Sequence, residues 1–254
     1  MSSATLTLND LKTDLVRACN KATDKELSSS SLSKPTINEI RSLVKDLEDK
    51  AEMIGEGQTS SSSGLMAGEW ELLYSPEDAT RSSPFFWAFA QAFPDNADQI
   101  YSITDAIPAP IKEVGPAYQT IELSESGDRV TITGKLVSRV KVATLNGFAT
   151  SIMTTRADIT GSIGLDGLTI RVDTTKPEES TALQLLPGPL GTLVNDNLPA
   201  FPSGDALEQF QPGSSTVIMR TTFCDDGLRI SRNDAKYDDV YVWRRREFSD
   251  TADF

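Results

Sequence analysis

The chain reads as a mainly β protein, a closed antiparallel barrel of about eight or nine strands preceded by an N-terminal helical hairpin. Three observations predict this. The hydrophobic period changes from about 3.6 to 2 near residue 68. The strand-like runs beyond that point are joined by turns too short for crossovers, so neighbours must be antiparallel. So many strands leave edges that have to be hidden, and closing the sheet hides them.

The helices come first. Leu8, Leu11, Leu15, Cys19 and Ala22 recur at steps of three and four, with Thr7 as the N-cap. Thr36 and Glu39 have the spacing of a capping box ahead of the stripe Ile37, Ile40, Val44, Leu47 and Ala51. Residues 1–55 therefore form the helical region. Residues 56–67, rich in Gly and Ser, form a linker, and 68–254 the barrel domain.

Within that domain Trp70, Leu72 and Tyr74 alternate along a first strand. Runs at 118–123 and 129–137 flank a turn at 124–128. Asn146-Gly147 and Asp166-Gly167 supply two further hairpin turns. Runs at 216–224, 228–231 and 239–245 complete the set. Two stretches break the pattern. Residues 84–93 read as a short helix with Ser83 as N-cap and Pro84 at its first position. That helix is apolar nearly all round, so it is either a plug between the barrel mouth and the N-terminal helices or a wedge touching lipid. Residues 174–215 form a Pro-rich insertion.

Composition removes much chemistry. The 254 residues include no histidine, which excludes Ser-His-Asp and Cys-His nucleophiles and His-containing zinc sites. A net charge of −13 disfavours nucleic acid as a partner. The two cysteines, Cys19 and Cys224, have no CxxC spacing. No apolar run approaches the roughly 18 residues of a transmembrane helix. Acids among the first 25 residues argue against a transit or signal peptide there, so the chain is expected to be cytoplasmic or to have lost a targeting segment. The pairs Asp225-Asp226 and Asp238-Asp239 flank turns, where aspartate serves local hydrogen bonding, and neighbouring strand residues point to opposite faces, so neither reads as a catalytic couple. Arg244-Arg245-Arg246, the only basic cluster, reads as salt bridging to the many acids. No catalytic residue, metal ligand or cofactor loop emerges.

Gly68-Glu69-Trp70 enters the first strand after helices, as lipocalin-type barrels begin, with the indole plugging one end and a late arginine, Arg244 or Arg246, stacked on it. The segments GEWELLYS at 68–75, SPFFWAF at 83–89 and FCDDGLRISR at 223–232 together resemble the plastid lipid-associated proteins, or plastid fibrillins, over about residues 36–246. Gly227 and Asn233 depart from the family's usual pattern. The resemblance implies a lipocalin-like barrel in the chloroplast, at plastoglobules, thylakoids or in the stroma. It implies binding of carotenoids, prenylquinones or fatty acids, with no cofactor and no agreed catalytic residues. Gly68, Trp70, Asp225, Asp226, Arg229, Ser231 and Arg232 carry over as motif positions.

The expected function is thus non-enzymatic binding or organisation of apolar lipids or isoprenoids, with a peripheral membrane or plastoglobule surface as a partner. Trp70, Leu72, Tyr74, Phe86, Trp87, Ile132, Phe148, Ile152, Ile170 and Met219 are the ligand-lining candidates, chosen from period-2 faces. The alternatives are a scaffold that docks an isoprenoid-pathway enzyme or coats lipid droplets and, less favoured without histidine, a lipid isomerase or epoxidase.

Overall fold

Leu8–Glu26 (α1) and Lys34–Ile54 (α2) form the N-terminal hairpin that their apolar spacing predicts. The structure, a computed structural model, describes residues 7–26, 34–57, 64–105, 111–125, 132–144, 147–181 and 199–246. Thr7 caps α1: the Asp10 N–H donates to Thr7 Oγ1 at 3.2 Å, and the Asp10 carboxylate accepts from the Thr7 N–H at 2.9 Å. That reciprocal pair satisfies donors the helix cannot. Helix α2 starts already at Lys34, with Pro35 in its first turn, so Thr36 lies inside the helix rather than at its cap.

Among the described residues eight strands follow: Gly68–Tyr74 (β1), Lys112–Glu125 (β2), Ile132–Thr144 (β3), Ala149–Ile163 (β4), Gly167–Glu178 (β5), Thr216–Cys224 (β6), Leu228–Asn233 (β7) and Lys236–Arg245 (β8). All pairings are antiparallel and run full circle, with β8 returning to β1. The circle nevertheless does not close evenly round one axis. The expected lipocalin-like barrel is corrected accordingly, to an eight-stranded antiparallel sheet curled on itself behind N-terminal helices. Strand length explains the unevenness. Strands β2, β3, β4 and β5 have 14, 13, 15 and 12 residues, against 7, 9, 6 and 10 in β1, β6, β7 and β8. Even closure requires one tilt and one shear shared by all strands. Here the long ladders outrun the short ones, and bulges at Leu72/Tyr74, Val114/Ala117 and Thr221/Phe223 bend the strands locally.

Strands β2 and β3 extend well past the expected 118–123 and 129–137. Of the turn expected at 124–128, Ser124 and Glu125 belong to β2; residues 126–131, Asn146, the linker residues 58–63 and residues 182–198 of the insertion lie outside the described residues.

Two apolar clusters hold the molecule. Inside the strand circle Trp70, Leu136, Ile170, Met219 and Trp243 pack with Met66. Outside it, α1 and α2 lie on Leu73, Tyr74, Phe223, Leu228, Ile230, Val240 and Val242. Strand β7 is therefore buried on both faces. The Arg232 guanidinium reaches Glu48 of α2 through two bonds of 2.9 Å and pins the hairpin in place.

Helix α3, Pro84–Ala92, closes the upper end of the circle. Trp87, Ala88 and Ala92 enter the interior cluster, with Phe85, Phe89 and Phe93 packed against it. It is a plug, but its main neighbours are β4–β6 and two further helices, Ala97–Asp105 (α4) and Ser203–Phe210 (α5), whereas the N-terminal hairpin belongs to the outer cluster. Neither α4 nor α5 was expected. Gly204 lets α5 lie flat on β5, because a Cβ there would run into the Val172 carbonyl oxygen.

Candidate functional site

Two constellations flank the interior. At the lower end Trp70 is wholly buried, and its Nε1 donates to the Met66 carbonyl at 3.1 Å. The Arg245 guanidinium lies 4.2 Å from its ring centroid and Arg229 lies 5.1 Å away. The expected cation was Arg244 or Arg246. Register decides otherwise: Trp70 pairs directly with Arg245, so the two share a face. Arg244 binds Glu71 at 2.6 Å, and Arg246 lies over Tyr118 at 4.2 Å and 4.0 Å from Glu69. Arg245 also donates to the carbonyls of Leu65, Ala67 and Asp226, clamping the chain into β1 to the β6–β7 turn. The clamp accounts for Gly68, which has φ +135° and where a Cβ would collide with the Arg245 guanidinium.

Arg229 is sandwiched between Trp70 and, at 4.8 Å, Trp243. Its Nη2 donates to Gln119 Oε1 at 2.6 Å, and Gln119 Nε2 reaches the Ser82 carbonyl at 3.4 Å. Burial, with the Arg245 charge adding to it, pushes the Arg229 pKa down to about 9, which still leaves a cation at neutral pH. Ser231 accepts from Trp243 Nε1 at 2.8 Å. Burial pushes the Cys224 thiol up to about 11 and Cys19 to about 12, so neither is a thiolate nucleophile near neutrality. Among the described residues no group of three His, Cys, Asp or Glu could hold a metal ion.

At the upper end a pocket of about 230 Å³ opens between α3, α4 and the β7–β8 turn. Its walls are Phe86, Trp87, Tyr101 and Tyr241. Arg81 lies 3.8 Å from the Tyr101 centroid and 5.2 Å from that of Phe86. Trp87 Nε1 donates to the Arg81 carbonyl at 2.6 Å, and the Tyr101 hydroxyl to the Phe86 carbonyl at 2.7 Å. The rim is mixed in charge: Lys236 faces Asp98 at 3.5 Å, and Arg81 faces Glu77 at 3.7 Å. Burial raises the Asp239 carboxyl, against the pull of Lys236 and Arg41, and burial raises both tyrosine hydroxyls as well. The arrangement suits an apolar ring or a short chain segment.

The ligand-lining candidates divide. Phe86 and Trp87 line this pocket, while Leu72, Ile170 and Met219 pack in the interior. Ile132 is buried on the same face of β3 as the interior residue Leu136. Three placements are corrected. The bulge after Leu72 turns Tyr74 to the outer cluster. Phe148 is 71% exposed at the tip of the β3–β4 hairpin. Ile152 is buried but on the face opposite the interior residues Ala157 and Ile159, one register step off. Of the motif positions, Asp225 binds Lys12 of α1 and caps its own turn by accepting from the Gly227 and Leu228 N–H groups, whereas Asp226 contributes its carbonyl to Arg245. Arg81, Tyr101, Gln119 and Tyr241 were not anticipated. Tyr241 had a signal, since it alternates with Trp243. Gln119 and Arg81 had none.

Comparison of the chain with protein-family models, with curated proteins and with solved structures finds no match. Among the described residues no helix is long and apolar enough to cross a membrane.

Proposed function

We propose that the chain is a non-enzymatic binder of apolar lipids or isoprenoids, of the carotenoid, prenylquinone or fatty-acid class, with one end of the ligand in the upper pocket. The observation that carries this reading is an aromatic tier running from the pocket to the surface. Phe86 stands 6.0 Å from Tyr101, Tyr101 5.9 Å from Phe89, Phe89 4.8 Å from Phe93 and Phe93 5.0 Å from Phe210, centroid to centroid. Phe210 is 70% exposed. A pocket of about 230 Å³ is below the ~300–1,000 Å³ that holds a whole drug-sized ligand. A single ring or short acyl segment fits inside, and the tier offers a track for the remainder. Exposed Phe210 and Phe201 also give a hydrophobic contact for a lipid surface that needs no basic patch. The resemblance to the plastid lipid-associated proteins supports a plastid setting, which imaging of a tagged full-length precursor tests.

The binding test is titration with a short-chain prenylquinone, read by quenching of tryptophan emission, since Trp87 is a pocket wall. Saturable quenching near one-to-one is expected. Ala90→Trp, which fills the pocket from its own lining, weakens it, and Phe210→Ser weakens it for longer chains only. Unsaturable quenching, unchanged by Ala90→Trp, sinks the reading.

A further inference from the structure

Behind the plug a polar cluster lies inside the strand circle, and none of its residues, Ser82, Ser83, Gln119, Ser138 and Arg229, lines the upper pocket. At its centre is Gln119, fully buried, joined to Arg229 on one side and to the Ser82 carbonyl on the other. Ser82 adjoins Ser83, the N-cap residue of the nine-residue helix α3, whose side chain makes no capping bond. Ser138 is the direct cross-strand partner of Gln119. Around this one glutamine, several buried polar atoms have no hydrogen-bond partner: Arg229 Nε and Nη1, Ser83 Oγ and Ser138 Oγ. Such clustering is unusual, because buried polar groups are nearly always bonded. Arg229 adds a charge to the deficit. It is wholly buried and, among the described residues, no carboxylate bears on it. The two indole faces offset part of that charge, but they cannot accept the in-plane N–H donors.

We propose that this cluster is a binding site for a single carboxylate, held by the unbonded N–H groups of Arg229 with the Ser138 and Ser83 hydroxyls donating to it. One cation matches one monoanion. The uncapped start of α3 adds partial positive charge on the same side. A neutral alcohol would leave the guanidinium unmet. The proposal does not rest on the upper pocket, and the carboxylate comes either as the head of an acyl chain or as a free small acid.

Calorimetric titration of the full chain at neutral pH with decanoate, decan-1-ol and acetate separates these cases. Decanoate is expected to bind at least about tenfold more tightly than decanol, the worth of one charge-assisted hydrogen bond. Arg229→Met removes that preference. Ser138→Ala weakens decanoate severalfold without affecting decanol, and it decides the matter should Arg229→Met fail to fold. Competition by acetate assigns the site to small carboxylates, and its absence assigns it to acyl chains; either supports the site. Ala90→Trp leaves the preference intact, so failure of the upper pocket and failure of this cluster are read separately. Equal binding of decanoate and decanol, no binding of any probe, or an undiminished preference in folded Arg229→Met overturns the proposal.

Discussion

Trp70→Ala tests the lower clamp, and its size can be worked out. The indole is wholly buried, and an aromatic side chain removes about 150–250 Å² from water. At roughly 25 cal/mol per Å² that is about 4–6 kcal/mol, and compactness of the unfolded chain trims it to about 3–5. The lost bond from Nε1 to Met66 adds about 1 kcal/mol. Loss of the Arg245 stack adds about 0.5–2 kcal/mol. Trp70→Ala should therefore destabilise by about 4 kcal/mol or more, while Trp70→Phe keeps a ring under Arg245 and should cost only about 1–2 kcal/mol. Urea unfolding followed by far-UV circular dichroism, with m compared between variants, measures both. An alanine variant within about 1 kcal/mol of the parent, or a phenylalanine variant as unstable as alanine, would refute the reasoning.

Trp87→Asp separates plug from wedge: with Trp87 inside the interior cluster, it should lower Tm by several degrees or prevent folding, and an unchanged Tm would restore the wedge. Gly68→Ala forces a Cβ onto the Arg245 guanidinium at a positive φ and should destabilise by about 1–3 kcal/mol in the same urea assay. Burial pushes the Asp225 carboxyl up, but Lys12 and the Gly227 and Leu228 N–H groups outweigh it, and the net direction is down. Its contribution to stability is thus present above the unfolded value near 3.9 and is lost as pH falls through the lower folded value. Asp78, buried but bonded by Lys112 and Thr80, behaves alike. Stability should decline below about pH 4, and Asp225→Asn should be less stable at neutral pH with a shallower acid decline; an identical acid profile would count against the assignment.

The N-terminal helices and the first strand were legible because one face of each is apolar at the right period, and the plug because Ser83 and Pro84 open a short run that is apolar nearly all round. Other features were hidden for a physical reason. Strands β7 and β8 are covered inside by the interior cluster and outside by α1 and α2, so Val240, Tyr241, Val242 and Trp243 form an unbroken apolar run. Alternation cannot then say which arginine of 244–246 faces Trp70, and the inner one is Arg245. The displaced Tyr74 depends on a bulge that alternation does not encode. Helix α5 sits within the Pro-rich insertion, where Pro202 at its N-cap looked like a loop signal and the close approach of Gly204 to β5 is a tertiary fact. Uneven closure follows from ladder lengths, and the turn signals that bound β2 and β3 did not reveal how far those strands run. In the candidate site Phe86 and Trp87 were readable from the apolar helix. Arg81, Gln119 and Tyr101 were not, because Gln119 gains its role only through Arg229, far along the chain, and Arg81 and Tyr101 meet only once α3 and α4 pack together.

The central claim is that this chain carries an apolar molecule, and the most direct measurement is mass spectrometry of organic extracts from protein purified from its native source. A lipid or isoprenoid is expected near one-to-one, lost or reduced when Ala90→Trp fills the upper pocket. Protein that is folded and repeatedly recovered without any such molecule, from tissue rich in lipid, would contradict it.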